Sequence, residues 1–332
     1  MNTNMNTKIT VKPVRWVQKN LFNTPYNTVL TILCVWILWN VVSSLFLWLS
    51  QSEWTVISEN LRLFLVGRFP ESQLWRMGAI ALIPILISST LVVRRSQAWN
   101  FVLIPVGLAS IAWLANGGFG LPLIRSSLWG GLFLTLFAAA ISTALAFPLG
   151  LLLALGRRSE LPVIRGISTV YIELVRGLPL IGILFMAQVM LPLVVPFRLD
   201  RLLRAILGLT FFNAAYLAEN IRSGLQSLPP GQSEAARSLG LNSIQTLRFI
   251  ILPQALRLVI PAIVGQFISL FKDTSLLALF ALFELTGIAR SILSQPQFIG
   301  RNGEVYLFIG LIYWMFCFGL SQFSKRLEVR SS

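Results

Sequence analysis

Apolar runs long enough to cross a membrane recur along this chain, and they limit its fold more than any other feature. A segment in hydrocarbon must satisfy its own backbone hydrogen bonds, which leaves helices and closed barrels. About 20 residues of helix are enough to cross. Eight runs of suitable length lie near 28–49, 75–93, 98–115, 128–155, 172–195, 203–221, 258–280 and 305–323. The expected fold is therefore an all-α, polytopic integral-membrane helical bundle of about eight transmembrane helices. Composition agrees, with 55% of the 332 residues hydrophobic and 12% charged, against about 25% charged in soluble domains. A further stretch, 56–69, carries Glu59, Arg62 and Arg68 and reads as an interfacial or re-entrant helix. No cleavable signal peptide is expected, because the polar, basic opening leads straight into a full-length span.

A net charge of +15 would suggest nucleic acid in a soluble chain, but here the charges lie between spans. With the N-terminus inside, the cytoplasmic segments hold sixteen Lys and Arg residues: Lys8, Lys12, Arg15, Lys19, Arg94, Arg95, Arg157, Arg158, Arg165, Arg222, Arg237, Arg248, Arg257, Lys325, Arg326 and Arg330. The outer segments hold nine, and Arg176 and Lys272 fall at membrane depth or the interface. Positive charge favours the inside, so both termini are expected in the cytoplasm. Cys34 and Cys317 lie inside apolar runs and give no disulfide or zinc spacing. The absence of histidine excludes a His-ligated metal and a Ser-His-Asp triad. No catalytic residue, metal or bound cofactor is expected.

The chain changes character near Asn116-Gly117-Gly118-Phe119-Gly120. Before it lie three Trp-rich spans, and after it five spans and a long charged connection. The expected organisation is an extension over 1–120, including the outer 56–69 segment, and a core over 121–332.

The connection, 223–257, raises the functional question. Leu228-Pro229-Pro230-Gly231 stops the preceding helix, and Ser233 can cap a new one with Glu234 in its first turn and Arg237 as a partner. Gly240 can end it in the left-handed conformation. Asn242 or Ser243 can cap a second helix with Ile244, Leu247, Ile250 and Ile251 on its apolar face, and Pro253 should break or kink the entry to the next span. An ordinary connection needs only a few residues. By themselves these signals fit both a scaffold and a docking element.

Glu234-Ala235-Ala236, Gly240, then Ile250-Ile251-Leu252-Pro253 resemble the EAA loop of bacterial ABC importer permeases. LPPGQSEAARSLGL, RFIILPQALR, LFKDTSLLAL and YIELVRGLPL are similar to the polar-amino-acid branch, over about residues 125–325. NLRLFLVGRFP and QLWR resemble the larger permease subunits of general L-amino-acid importers. The resemblance implies a MetI-like core of five helices in a bacterial inner membrane. It implies that Glu234, Ala235, Ala236, Gly240, Leu252 and Pro253 belong to a coupling loop that docks on a separate ATP-hydrolysing subunit. The further partners implied are a second permease, identical or homologous, a periplasmic or lipid-anchored amino-acid-binding protein, and membrane lipid. Consistent with that, the sequence has no GxxxxGK[ST] phosphate loop. Asn220 and Ser223 depart from the family pattern and weaken any transfer of substrate preference. An autonomous channel or ion-coupled transporter is the alternative, and it leaves the EAA pattern unexplained.

Charges at membrane depth are costly, about 2.5–3.5 kcal/mol on insertion scales, and call for a reason. Glu173 and Arg176, and Glu219 and Arg222, are spaced for ion pairing along a helix. Gly177 and Pro179 interrupt the first of these helices, as transporters do near substrate sites. Glu173, Arg176, Glu219, Lys272, Asp273 and Thr274 are candidates for the substrate path or gate, with helix-locking ion pairs as the competing role. Glu284 is expected in an outer loop, and the Gly and Ser residues of 128–156 in close helix packing.

Overall fold

The computed structural model describes residues 13–93 and 97–331. Among them there are helices and no strands, as the apolar runs require. Lys8, Lys12, Arg94 and Arg95, counted above, lie outside the described residues.

One compact unit runs through Trp54. It holds α1 (Pro13–Leu21) and α2 (Pro25–Gln51). Thr24 caps α2 by accepting from the Asn27 amide at 3.2 Å, and Pro25 starts it without an N–H to satisfy. α2 is apolar all round and buries none of its residues, the character of a helix that faces lipid or a partner.

The second unit begins at Thr55. Its helices are α3 (Thr55–Val66), α4 (Trp75–Val93), α5 (Gln97–Asn116), α6 (Gly131–Arg157), α7 (Pro162–Gly177), α8 (Leu180–Val194), α9 (Arg201–Gln226), α10 (Gly231–Ser238), α11 (Ser243–Phe280), α12 (Leu285–Leu293) and α13 (Asn302–Ser331). Segment 55–120 thus folds in one unit with the residues that follow it.

Among the described residues five helices are long and apolar enough to cross a membrane: α2, α6, α9, α11 and α13, the last taken to Lys325. α7 and α8 make a sixth if counted as one broken span, bent by 106°. The bend falls at Leu178, whose extended backbone precedes Pro179. So the single run expected over 172–195 is two half-helices. By length and apolar composition the described residues give five or six spans, and α4 and α5 hold the positions of the other two that were expected.

Close packing of α6 on α9 forms the centre. A Cβ on Gly150 would lie 2.9 Å from Leu217 Cβ and 3.0 Å from the Ala214 carbonyl oxygen. Small residues here let two backbones approach, as at many membrane helix contacts. Ser142 donates to the Ile206 carbonyl at 3.4 Å midway along the pair. Around one end cluster Trp129, Phe133, Phe137, Leu202 and Ile206, and around the other Ala154, Ala218, Ile221, Leu225 and Ile251. α3 is the short side helix expected over 56–69. Its buried face (Val56, Ile57, Phe64) packs on Leu285, Ile288 and Val305, with the Phe64 and Phe308 rings 5.1 Å apart.

Candidate functional site: the coupling loop and the charges above it

The connection after α9 folds into a defined hairpin of helices. α10 starts earlier than Ser233, at Gly231, because the fixed φ of Pro229 and Pro230 suits a first turn; their carbonyls accept from Gln232, Ser233 and Glu234. Its end is a Schellman motif. Leu241 N–H donates to the Ala236 carbonyl at 3.1 Å and Gly240 N–H to that of Arg237 at 2.9 Å, with Gly240 at φ +82°. Asn242 then caps α11 in a reciprocal capping box with Gln245, the two bonds measuring 2.8 and 3.0 Å.

Here the structure corrects two expectations. Pro253 does not separate a loop helix from a span. α11 runs unbroken through it, with a π turn at Leu247–Ile251 just before the proline. That local widening accommodates a ring that would otherwise clash with a carbonyl one turn back. Nor do Glu234 and Arg237 pair: both are exposed and, among the described residues, form no ion pair.

The six loop residues divide by exposure. Glu234, Ala235 and Gly240 are exposed, and a Cβ on Gly240 would meet nothing within 4 Å. Ala236 is buried inside the hairpin, so its small side chain serves the loop's own packing. Leu252 and Pro253 are half-buried further along α11. Leu239 and Ile244 expose 82% and 76% of their surface beside Gly240. The tip thus presents small residues and two apolar side chains alongside the exposed charges of Glu234 and Arg237. Of the four residues expected on the apolar face of this helix, only Ile251 is fully buried, and Ile244 is exposed.

Just above the loop, three helices meet in a charge cluster. Arg157, at the end of α6, places Nη1 2.7 Å from Glu219 Oε1 on α9 and Nη2 2.7 Å from Glu173 Oε1 on α7. Arg222 closes on Glu219 at 2.8 Å, and Arg176 approaches it at 3.7 Å while lying over the Tyr216 ring. The Glu219–Arg222 pair is as the spacing suggests. Glu173–Arg176 is not formed; each partner turns to a neighbouring helix, which along-helix spacing could not reveal.

Lys272, Asp273 and Thr274 lie elsewhere. α11 changes from α to 3₁₀ geometry at Thr274, which is buried with its hydroxyl on the Phe271 carbonyl at 2.7 Å. This is the opposite end of the bundle from Glu219. The six path candidates therefore form two separate groups.

Glu284 lies in the connection between α11 and α12, but sequence reasoning missed its role there. It is fully buried and caps α12, accepting from Thr286 and Gly287 amides at 2.8 Å each and from the Tyr313 hydroxyl at 3.2 Å. Burial pushes its carboxyl up to about 7, against the lowering effect of those bonds. The helical spacing of Leu285, Ile288, Ala289 and Ile292 after it was the available signal; Glu is simply not a common cap. Arg76 was also missed. It is fully buried and holds the Pro122 carbonyl at 3.1 Å, tying α4 to the Gly-rich turn.

This architecture matches known proteins. Residues 146–331 match the family of binding-protein-dependent transport system inner membrane components. The inner membrane amino-acid ABC transporter permease YhdY of Escherichia coli (strain K12) is 41% identical, covering 95% of this chain and 92% of that protein. The chain belongs to this transport family. The permease is also 33% identical to the glutamate/glutamine/aspartate/asparagine transport permease BztC of Rhodobacter capsulatus, over 96% of this chain and 93% of that one. Both matches include the segment before residue 120. Among solved structures, an amino acid ABC transporter crystallised with histidines is 31% identical with TM-score 0.55, covering 60% of the permease and 92% of that chain. A methionine transporter, MetNI in an inward-facing conformation, shares the fold at TM-score 0.52 and 22% identity, over 60% and 94% of the two chains. The five-helix, MetI-like core is that fold. The chain is a multi-pass membrane permease.

Proposed function

We propose that this permease carries amino acids inward across a bacterial inner membrane, in a complex whose ATP is hydrolysed on separate subunits. The observation that carries this reading is the folded tip at Glu234–Ile244. A helix closed by a Schellman motif, an open Gly240 and two exposed apolar side chains make a preformed knob, and a preformed knob costs little entropy to dock. Glu234, Ala235 and Gly240 would meet the ATPase surface, with Leu239 and Ile244 as apolar anchors. Ala236, Leu252 and Pro253 hold the knob in shape. ATP-driven closure of the two ATPases would move it, and α11 carries the motion unbroken from the knob to Thr274.

The amino-acid substrate class rests on the two full-length relatives and on the histidine-bearing structure. Substrate would arrive from a periplasmic or lipid-anchored binding protein, and the chain would pair with an identical or homologous permease. Both termini would face the cytoplasm, with residues 1–120 as an extension to the core. The Arg157 cluster would act as a gate on the loop side of the path, and Lys272–Thr274 would line its far end. ATP binds the partner subunit, and this chain contributes no catalytic group.

The test is a pull-down of the tagged, detergent-extracted protein, wild type against Gly240→Trp, read by mass spectrometry. An ATPase subunit recovered with the wild type and lost with the variant is the expected result. Failure to recover an ATPase with either would return the loop to the status of a connector.

A further inference from the structure

Only Phe22, Asn23 and Thr24 separate α1 from the membrane-crossing helix α2, and side chains fix the elbow between them. The Thr31 hydroxyl, in the second turn of α2, donates to the Leu21 carbonyl at 2.9 Å. Asn27 Nδ2 donates to Asn23 Oδ1 at 2.6 Å, and the Thr28 hydroxyl to the Thr24 carbonyl at 3.0 Å. The end of α1 is thereby held beside the second turn of α2, where the polar collar of Asn23, Thr24, Asn27 and Thr28 gives way to the apolar span. Trp16, Val17, Lys19 and Asn20 are exposed, so neither side of α1 is covered by α2.

Those two sides differ in chemistry. Helical register puts Val14, Val17 and Leu21 along one side, and Arg15 and Lys19, one turn apart, along the other. Trp16 lies on the flank next to Lys19 and is 54% exposed. A helix with a basic side, an apolar side and a Trp at their border suits the plane of a membrane interface, where indole rings settle at headgroup level. The charge is also one-sided along the chain. Lys8, Lys12, Arg15 and Lys19 precede the span, and no Asp or Glu occurs before Glu53. No carboxylate of this stretch competes for the four cations, and four Lys or Arg beside a span are enough to draw anionic headgroups.

From this we infer that α1 is a docking surface for anionic phospholipid, lying on the leaflet at the N-terminal end of α2. Its Val17–Leu21 side faces the acyl chains, and its Arg15–Lys19 side sits at the level of the headgroup phosphates. Reach and sign decide the occupant. α2 brings a bilayer surface to α1 by crossing it, and that surface offers both the hydrocarbon and the negative charge that α1 needs. An acidic soluble protein would supply only the charge. The surface acts whatever the permease carries.

The test uses the whole permease in lipid nanodiscs, either of phosphatidylcholine alone or of phosphatidylcholine and phosphatidylglycerol in equal parts. In a Cys34→Ala, Cys317→Ala background, a nitroxide is attached at Val17→Cys or at Lys19→Cys. In the mixed discs the label at position 17 should be reached better by dissolved oxygen, and the label at position 19 by a water-soluble nickel complex. The ratio of immersed to released label at position 17 should be at least about tenfold higher in the mixed discs than in phosphatidylcholine, and added salt should lower it. Arg15→Gln with Lys19→Gln should remove at least about tenfold of that ratio. Arg15→Lys with Lys19→Arg, which keeps both charges, should leave it unchanged.

Equal access of the nickel complex to positions 17 and 19 in both kinds of disc overturns the surface. An immersed population that is the same with and without phosphatidylglycerol, or that the two Gln substitutions do not move, overturns the assignment to anionic lipid. Immobilisation of the label only after the ATPase subunit is added overturns it too and assigns α1 to a protein contact.

Discussion

Arg157 and Glu219 stand 62 positions apart in sequence, yet Arg157 Nη1 and Glu219 Oε1 are 2.7 Å apart. The same guanidinium holds Glu173 on a third helix. Glu219 is the more sheltered carboxylate, its side chain 16% exposed against 58% for Glu173. Removing one partner of a sheltered pair leaves a charge without compensation, which costs about 3–5 kcal/mol when burial is complete. With this partial exposure, Arg157→Ala or Glu219→Gln should cost on the order of 2 kcal/mol and lower the unfolding midpoint of the purified permease. Glu173→Gln should cost less than about 1 kcal/mol. Equal losses for the two glutamate variants would mean that Glu219 does not anchor the cluster.

Gly240 is needed for its backbone, since open space surrounds the position where a Cβ would sit. Its φ of +82° disfavours other residues by about 1–2 kcal/mol, and Asn tolerates this region best. Gly240→Asn should leave the tip resistant to limited proteolysis, and Gly240→Val should make it cleavable, with both proteins still inserted. Indistinguishable digestion patterns would show that the Schellman closure is dispensable.

Gly150 is needed for its size. A side chain there meets Leu217 and the Ala214 backbone, whereas Gly166 on α7 has nothing within 4 Å. Gly150→Leu should destabilise by about 1–3 kcal/mol through overpacking. Gly166→Ala should be neutral or stabilise by up to about 1 kcal/mol through helix propensity. Thermal melts of the two variants in detergent separate these effects, and a silent Gly150→Leu would contradict the close α6–α9 contact.

Glu284 should make stability depend on pH. Its carboxyl is raised from 4.5 to about 7 in the folded protein, so the fold binds the extra proton. The stability it contributes is fully present below pH 4.5 and is lost as pH rises through about 7. Relative to Glu284→Gln, the wild type should lose up to about 1.4 kcal/mol per pH unit across that window. Parallel melting curves for the two proteins from pH 5 to 8 would show that the cap is ionised throughout.

Much of the loop was legible because its signals are local. Two prolines, a glycine and the Asn242 cap act within a few residues of themselves, and the structure uses each of them, adding a reciprocal bond from Gln245 that was not read from the sequence. At Pro253 a break or a kink was expected, and the helix does not break: the π turn at Leu247–Ile251 widens the preceding turn instead. Charge pairing was half legible. Glu219–Arg222 is a contact within one helix, whereas Arg157 chooses its partners across three.

The sequence by itself determined the material and the punctuation of this protein: all-helical, membrane-crossing, with a capped and charged loop where its family has one. Those properties follow from hydrophobic run length and from short-range backbone chemistry. Only the tertiary structure decided which carboxylate Arg157 holds and that Glu284 is buried beside Tyr313. Those relationships join residues tens of positions apart, and they depend on how α6, α7, α9 and α11 are rotated and staggered. Rotation and stagger are set by the fit of small residues such as Gly150 against a neighbouring backbone, which no single helix encodes alone.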